Sequence, residues 1–206
     1  MKNFLNQLAR RNDGYTIDQT ILIVAVIAIL VTLIIGSVAW DLLGRAGGTK
    51  LASHLRQFET ANGQFYAKYA VWPHQAANVS NPAQIFKTLM DESYLSANFR
   101  ESNGGPNFEN YIPSYTDPGG ANPVGHSFGG GGDVTMDLST AFGVTCGSGS
   151  QTFLTVSMTN IPSQEFMETD ESLDGQVDCT AGRLQCTGNP LTDNSVDMTY
   201  CANVIN

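Results

Sequence analysis

Four cysteines, Cys146, Cys179, Cys186 and Cys201, fall in the last third of a 206-residue chain, in a stretch rich in Gly, Ser, Thr and Asn. An even count confined to one polar region favours disulfides formed in an oxidising compartment. Zinc is the rival chemistry, but there is no CxxC pair and no His follows Cys146, so zinc-ligand spacing is missing. A second constellation is Asp170, Ser172, Asp174 and Asp178 around Gly175. Alternating oxygen ligands before a turn-forming Gly suit a hard cation such as calcium. The Glu that would complete such a loop is replaced by Ala181, and a solvated acidic turn competes with the calcium reading. No cofactor is required, and calcium is the one the pattern admits.

Gly125-His126-Ser127-Phe128-Gly129 matches the GxSxG elbow that presents a nucleophilic Ser between a strand and a helix. In that architecture the catalytic His follows the Ser, whereas His54, His74 and His126 all precede Ser127. A membrane-tethered serine hydrolase is therefore the remote alternative, and the expectation is that the chain is not an enzyme. Asn78-Val79-Ser80 fits the N-glycosylation pattern, which is common by chance.

The elements that must position these residues begin with one apolar block. Ile21 to Trp40 contains no charge and has roughly the 20 residues a helix needs to cross a bilayer core. Lys2, Arg10 and Arg11 precede it, so the positive-inside bias keeps the N-terminus cytoplasmic and places the cysteines outside. No small-residue cleavage site follows Trp40 and Asp41, so the block is expected to stay in the mature chain. Asp18 is the only charged side chain between Asp13 and Asp41. A carboxylate at the edge of a membrane segment is costly unless paired, which makes it a functional candidate. The plainer alternative is that Asp18 stays at headgroup level and starts the helix.

The run Arg10-Arg11-Asn12-Asp13-Gly14-Tyr15-Thr16-Ile17-Asp18-Gln19-Thr20 resembles the processing site of the type IV pilin family. The resemblance implies a leader at 1–14 cut between Gly14 and Tyr15 by a membrane-embedded prepilin peptidase, leaving the helix in place. Cutting removes three cations and one anion, so the net charge of −9 becomes −11. The family usually has Glu as the fifth mature residue, pairing with the N-terminal ammonium of a neighbouring subunit. Gln19 stands there, and the acid comes one residue earlier at Asp18, turned by about 100° on a helix. Asp18 and Gln19 are thus the candidate assembly residues.

Beyond the block, Leu51, Leu55, Phe58, Ala61, Phe65, Tyr69 and Trp72 recur at steps of three and four, one apolar face of a helix closed by Pro73. Gly36, Gly44, Gly47 and Gly48 each cost helix stability and mark where it can bend or melt. Asn81-Pro82 offers a cap and first-turn Pro for a short helix carrying Ile85, Phe86, Leu89, Met90 and Leu95. Residues 100–133, rich in Gly, Pro, Asn and Ser, read as an extended surface loop. Strands are expected at Asp133 to Leu138, Thr152 to Thr159 and Val196 to Cys201.

The expected architecture is α+β: a long N-terminal helix packed on a small antiparallel sheet, with a disulfide-stapled C-terminal region. Its expected divisions are the leader 1–14, a membrane and filament-core helix over 15–40, and over 41–206 the amphipathic continuation and an extracellular head. Antiparallel strands would bring Cys146 to Cys201 and leave Cys179 with Cys186, an arrangement similar to the stapling of pilin heads, although four cysteines allow three pairings.

The resemblance implies a structural subunit of an extracellular filament, inserted in the inner membrane as a precursor. Its partners would be identical subunits, the prepilin peptidase, and a pilus assembly platform with its ATPase. Tyr15 in place of Phe and the long mature chain resemble the type IVb branch; the missing Glu points instead to a minor pilin or type II secretion pseudopilin. With 19 acidic against 10 basic residues, and Arg183 the only cation after Arg100, phosphate backbones are repelled on average and no nucleic-acid partner is expected.

Overall fold

Three-and-four spacing in one stretch and strict alternation in others demand an element of each kind, and both kinds meet in one core. The structure, a computed structural model, describes residues 17–78, 81–99, 108–112, 115–138, 146 and 151–205. Its elements are α1 (Ile17–Tyr69), α2 (Pro73–Ala76), α3 (Pro82–Lys87), a 3-10 turn (Glu92–Tyr94), β1 (Val124–His126), β2 (Gly132–Leu138), β3 (Thr152–Pro162), α4 (Ser163–Asp174), β4 (Leu184–Thr187) and β5 (Ser195–Ile205). The chain divides into two compact units, Met1–Leu43 and Gly44–Asn206.

In the second unit the sheet runs β1-β2-β3-β5-β4 with every neighbouring pair antiparallel. Alternation sends Leu154, Val156 and Met158 of β3, and Met198 and Tyr200 of β5, to the core. Leu51, Leu55, Phe58, Ala61 and Phe65 of α1 join them, all with 1% or less of their surface exposed. Thr155, Ser157 and Thr199 alternate with these core residues and are also buried. Ser157 and Thr199 satisfy each other, their hydroxyls 3.0 Å apart. The α+β fold, with a long helix on a small antiparallel sheet and a doubly cross-linked C-terminal region, is as expected.

Several details differ from the sequence reading. Helix α1 ends at Tyr69, before Pro73 is reached, because Ala70 adopts a left-handed φ of 57°. Pro73 instead opens α2, where its missing N–H costs nothing. Asn81 does cap α3, its Oδ1 accepting from the Ala83 N–H at 2.9 Å. The stretch 100–133 is not wholly loop: β1 lies in it, with Val124 and His126 buried against the second strand. Helix α4 and strand β4 were not anticipated.

Candidate functional site

In the first unit, Asp18 and Gln19 lie in the opening turn of α1, both exposed. A carboxylate there complements the partial positive charge of unpaired N–H groups at a helix start. Gly14 and Tyr15, the expected cleavage pair, lie outside the described residues. From Ile17 to Ala39 the helix is 23 residues long and apolar enough to cross a membrane, and none of it is buried. Its hydroxyls look inward: Thr32 Oγ1 donates to Ala28 O at 2.8 Å and Ser37 Oγ to Ile34 O at 2.9 Å. Such back-bonding satisfies polar groups that find no water in hydrocarbon.

In the second unit the expected calcium residues stand differently from a cation loop. Asp170, Ser172 and Asp174 belong to α4, so the loop geometry that alternate ligands require is missing. Their carboxylates serve backbone donors. Asp170 Oδ2 accepts from the Asp178 N–H at 2.7 Å, and Asp174 Oδ2 from Arg183 and Leu184 N–H at 2.8 and 2.9 Å. Asp178 Oδ1 accepts from the Thr180 N–H and hydroxyl and the Ala181 N–H, and these bonds hold its carboxyl below the usual range. Among the described residues no cluster of three or more His, Cys, Asp or Glu could hold a metal.

Asp170 is fully buried. Burial first, and then the like charge and hydrogen bond of Asp174 one turn on, push its carboxyl up to about 7 despite the Asp178 N–H. These acids fasten α4 to the segment closed by the Cys179–Cys186 disulfide. The other disulfide joins Cys146 to Cys201 on β5, so the favoured pairing is the one present.

Gly47 and Gly48 mark a close crossing inside the helical span of α1. A Cβ on Gly48 would stand 2.5 Å from Glu168 Cβ, and one on Gly47 would meet the Glu165 side chain at 2.7 Å. Thr169 Oγ1 donates to Gly48 O at 3.0 Å across the same crossing. These glycines therefore admit α4, and both lie within α1 with no positive φ.

Ser127 follows β1 in a turn that leads back into β2, so the strand-to-helix context of a nucleophile elbow is absent. It lines a cavity of about 150 Å³ with His54, Tyr115 and Phe128. His126 is committed elsewhere, Nε2 donating to Thr159 O at 2.7 Å and Nδ1 accepting from the Phe128 N–H at 3.2 Å. His54 Nδ1 lies 3.0 Å from the Tyr115 hydroxyl. Burial lowers both histidines, with the Lys50 charge adding to the effect at His54. Asn78 of the glycosylation pattern is exposed; Val79 and Ser80 lie outside the described residues.

Two ionic anchors escaped the sequence reading. Arg183 pairs with Glu59 of α1 and donates to the carbonyls of Cys201 and Ala202. Its isolation among acids was the available signal. Lys87 is fully buried, paired with Asp117, bonded to Gly120 O at 3.2 Å and seated over the Tyr94 ring. Against the upward push of burial, hydrogen bonds from Lys87, Gly119 and Tyr94 hold the Asp117 carboxyl low. Comparison with known proteins finds no matching family model, no matching curated protein and no matching solved structure.

Proposed function

We propose that this chain is a structural subunit of an extracellular filament of the type IV pilus kind, assembled through its N-terminal helix after a basic leader is removed. The carrying observation is the helix from Ile17 to Ala39, apolar on all sides and unburied, in a chain whose other unit has its own complete core. Such a surface is unstable in water and needs lipid first, then neighbouring copies. Arg10, Arg11, Gly14 and Tyr15 supply the processing signal, and two disulfides suit an oxidising exterior.

Intact-mass measurement and electron microscopy of material sheared from producing cells test this reading. Filaments whose subunit begins at Tyr15 are expected; a start at Met1 or beyond Trp40 sinks it. Asp18 is the assembly carboxylate in this reading, pairing with the Tyr15 ammonium of a neighbour while Gln19 adds a neutral hydrogen bond. Asp18→Asn should spare processing but sharply lower filament yield, and normal yield would reduce Asp18 to a helix-start residue.

A minor pilin or pseudopilin is the second reading, favoured by Gln19 standing where Glu is usual. Scarcity of the chain in sheared filaments that are built mainly of another subunit would select it.

A further inference from the structure

We propose that the Cys179–Cys186 disulfide is a redox-sensitive lock on the outer edge of the sheet, closed while the bond is intact and opened when an external dithiol reduces it. The sheet ends in β1 on one side and β4 on the other. An edge strand presents unpaired N–H and C=O groups to which further strands add, so each edge is either covered or open. On the β1 side the cover is backbone alone, Gly125 N–H donating to Thr116 O at 2.9 Å. On the β4 side part of the cover hangs on a bond that can be broken and remade.

Alternation along an antiparallel pair decides which groups of β4 face outward. Cys201 N–H donates to Arg183 O at 2.8 Å, and Gln185 stands opposite Thr199, so Arg183 and Gln185 turn their backbone groups toward β5. Leu184 and Cys186 therefore turn theirs away from it. Both of their N–H groups are taken: Leu184 donates to Asp174 Oδ2 at 2.9 Å, and Cys186 to Cys179 O at 3.1 Å. The first cover is a side chain of α4. The second is a carbonyl from a segment outside any helix or strand, tied to β4 by a disulfide across a separation of 7 residues. The neighbouring Asp178 N–H is gripped by Asp170 Oδ2 at 2.7 Å, which anchors the segment to α4 and not to the strand it covers. With the disulfide cut, one backbone hydrogen bond is left to hold Cys179 against β4, and that is worth less than the entropy of keeping the intervening residues in place.

Access singles out this disulfide from the other. Cys146 and Cys201 are 5% and 1% exposed, and Cys186 7%, whereas Cys179 alone of the four is only partly buried. Exchange needs an attacking thiolate to reach one sulfur, and Cys179 is where it can. The thiolate attacks Cys179 Sγ, the S–S bond breaks, and Cys186 Sγ leaves as a thiolate that takes up a proton. The second thiol of the reductant then attacks the reductant's own sulfur in the mixed disulfide, and the Cys179 thiolate departs and is protonated in turn. The dithiol gives two electrons and two protons to the protein and ends as a disulfide.

The test uses the full-length chain in detergent, with amide exchange followed residue by residue before and after treatment with dithiothreitol at neutral pH. Mild reduction should yield alkylatable thiols at Cys179 and Cys186 while Cys146–Cys201 stays closed. Exchange at the residue 186 amide should then rise about tenfold or more, as on any local opening, while Leu184, held by Asp174, and Gln185, held by β5, keep their parent rates. The Cys179→Ser/Cys186→Ser variant should show the same pattern without reductant, and reoxidation of the reduced parent should restore slow exchange. Release of all four thiols together, or of Cys146 and Cys201 first, overturns the proposal. So does an unchanged rate at residue 186 in the reduced and variant chains, or an equal acceleration at Gln185, which would mean that β4 had left the sheet.

Discussion

Gly36 and Gly48 are twelve positions apart on one helix, yet they occupy opposite environments. An added Cβ at Gly36 meets nothing within 4 Å, whereas at Gly48 it runs into Glu168. The same contrast separates the two units. Ile17–Ala39 buries none of its apolar surface among the described residues and leaves it to its surroundings. In Gly44–Asn206 the chain supplies the core cluster, two disulfides and an ionic anchor on buried Lys87. Apolar residues therefore have two uses here: one set stabilises a fold already complete, and the other asks for a fold made with something else.

The largest expected effect bears on the self-sufficient unit. Replacing Cys146 and Cys201 by Ala opens a loop spanning 55 residues and should cost about 4 kcal/mol by loop-closure entropy. Opening the 7-residue separation of Cys179 and Cys186 should cost about 2 kcal/mol. Urea unfolding of both variants in detergent checks the order, and a larger loss from the short loop would show that local strand anchoring outweighs chain entropy.

Next comes the crossing. Gly48→Val should destabilise the head by about 1–3 kcal/mol, the usual cost of overpacking, read as a fall in urea midpoint. Gly36→Ala should leave the head's midpoint unchanged while favouring helix by up to about 1 kcal/mol. If both substitutions act alike, the contrast between the units fails.

A further expected effect follows pH. The Asp170 carboxyl, ordinarily near 3.9 in an unfolded chain, is raised to about 7 in the fold. The folded state thus binds the proton more tightly, so the stability it contributes is complete below about pH 4 and is lost as pH rises to about 7. Asp170→Asn keeps an acceptor for the Asp178 N–H and mimics the neutral acid. Its urea midpoint should be flatter over that window than the parent's, and equal slopes would assign the pH dependence elsewhere.

The long helix was legible because Leu51, Leu55, Phe58, Ala61 and Phe65 keep strict spacing over many turns. Strands β2, β3 and β5 were legible from alternation. Helix α4 was hidden by its charges: Asp170 and Asp174 suggested a cation loop, although Phe166, Thr169, Asp170 and Leu173 follow helical spacing and Gly175 provides a left-handed stop with φ 80°. Strand β4 has only four residues and β1 three, one of them Gly125, so neither gives a period to read. The favoured cysteine pairing came from strand adjacency, whereas the Lys87 anchor depends on contact with residues 117–120, which no local pattern reveals.

The Glu59–Arg183 pair sets where mechanical load enters the sheet. Arg183 grips Glu59 and the Cys201 and Ala202 carbonyls, and one turn further along α1 Asn62 Nδ2 donates to Asn203 Oδ1 at 2.9 Å. A pull along this part of α1 therefore reaches the end of β5, an interior strand bonded to β3 and β4 and cross-linked through Cys201 to Cys146. Tension is shared there among many backbone hydrogen bonds and one covalent bridge, so the head should resist stretching best where the helix tugs hardest.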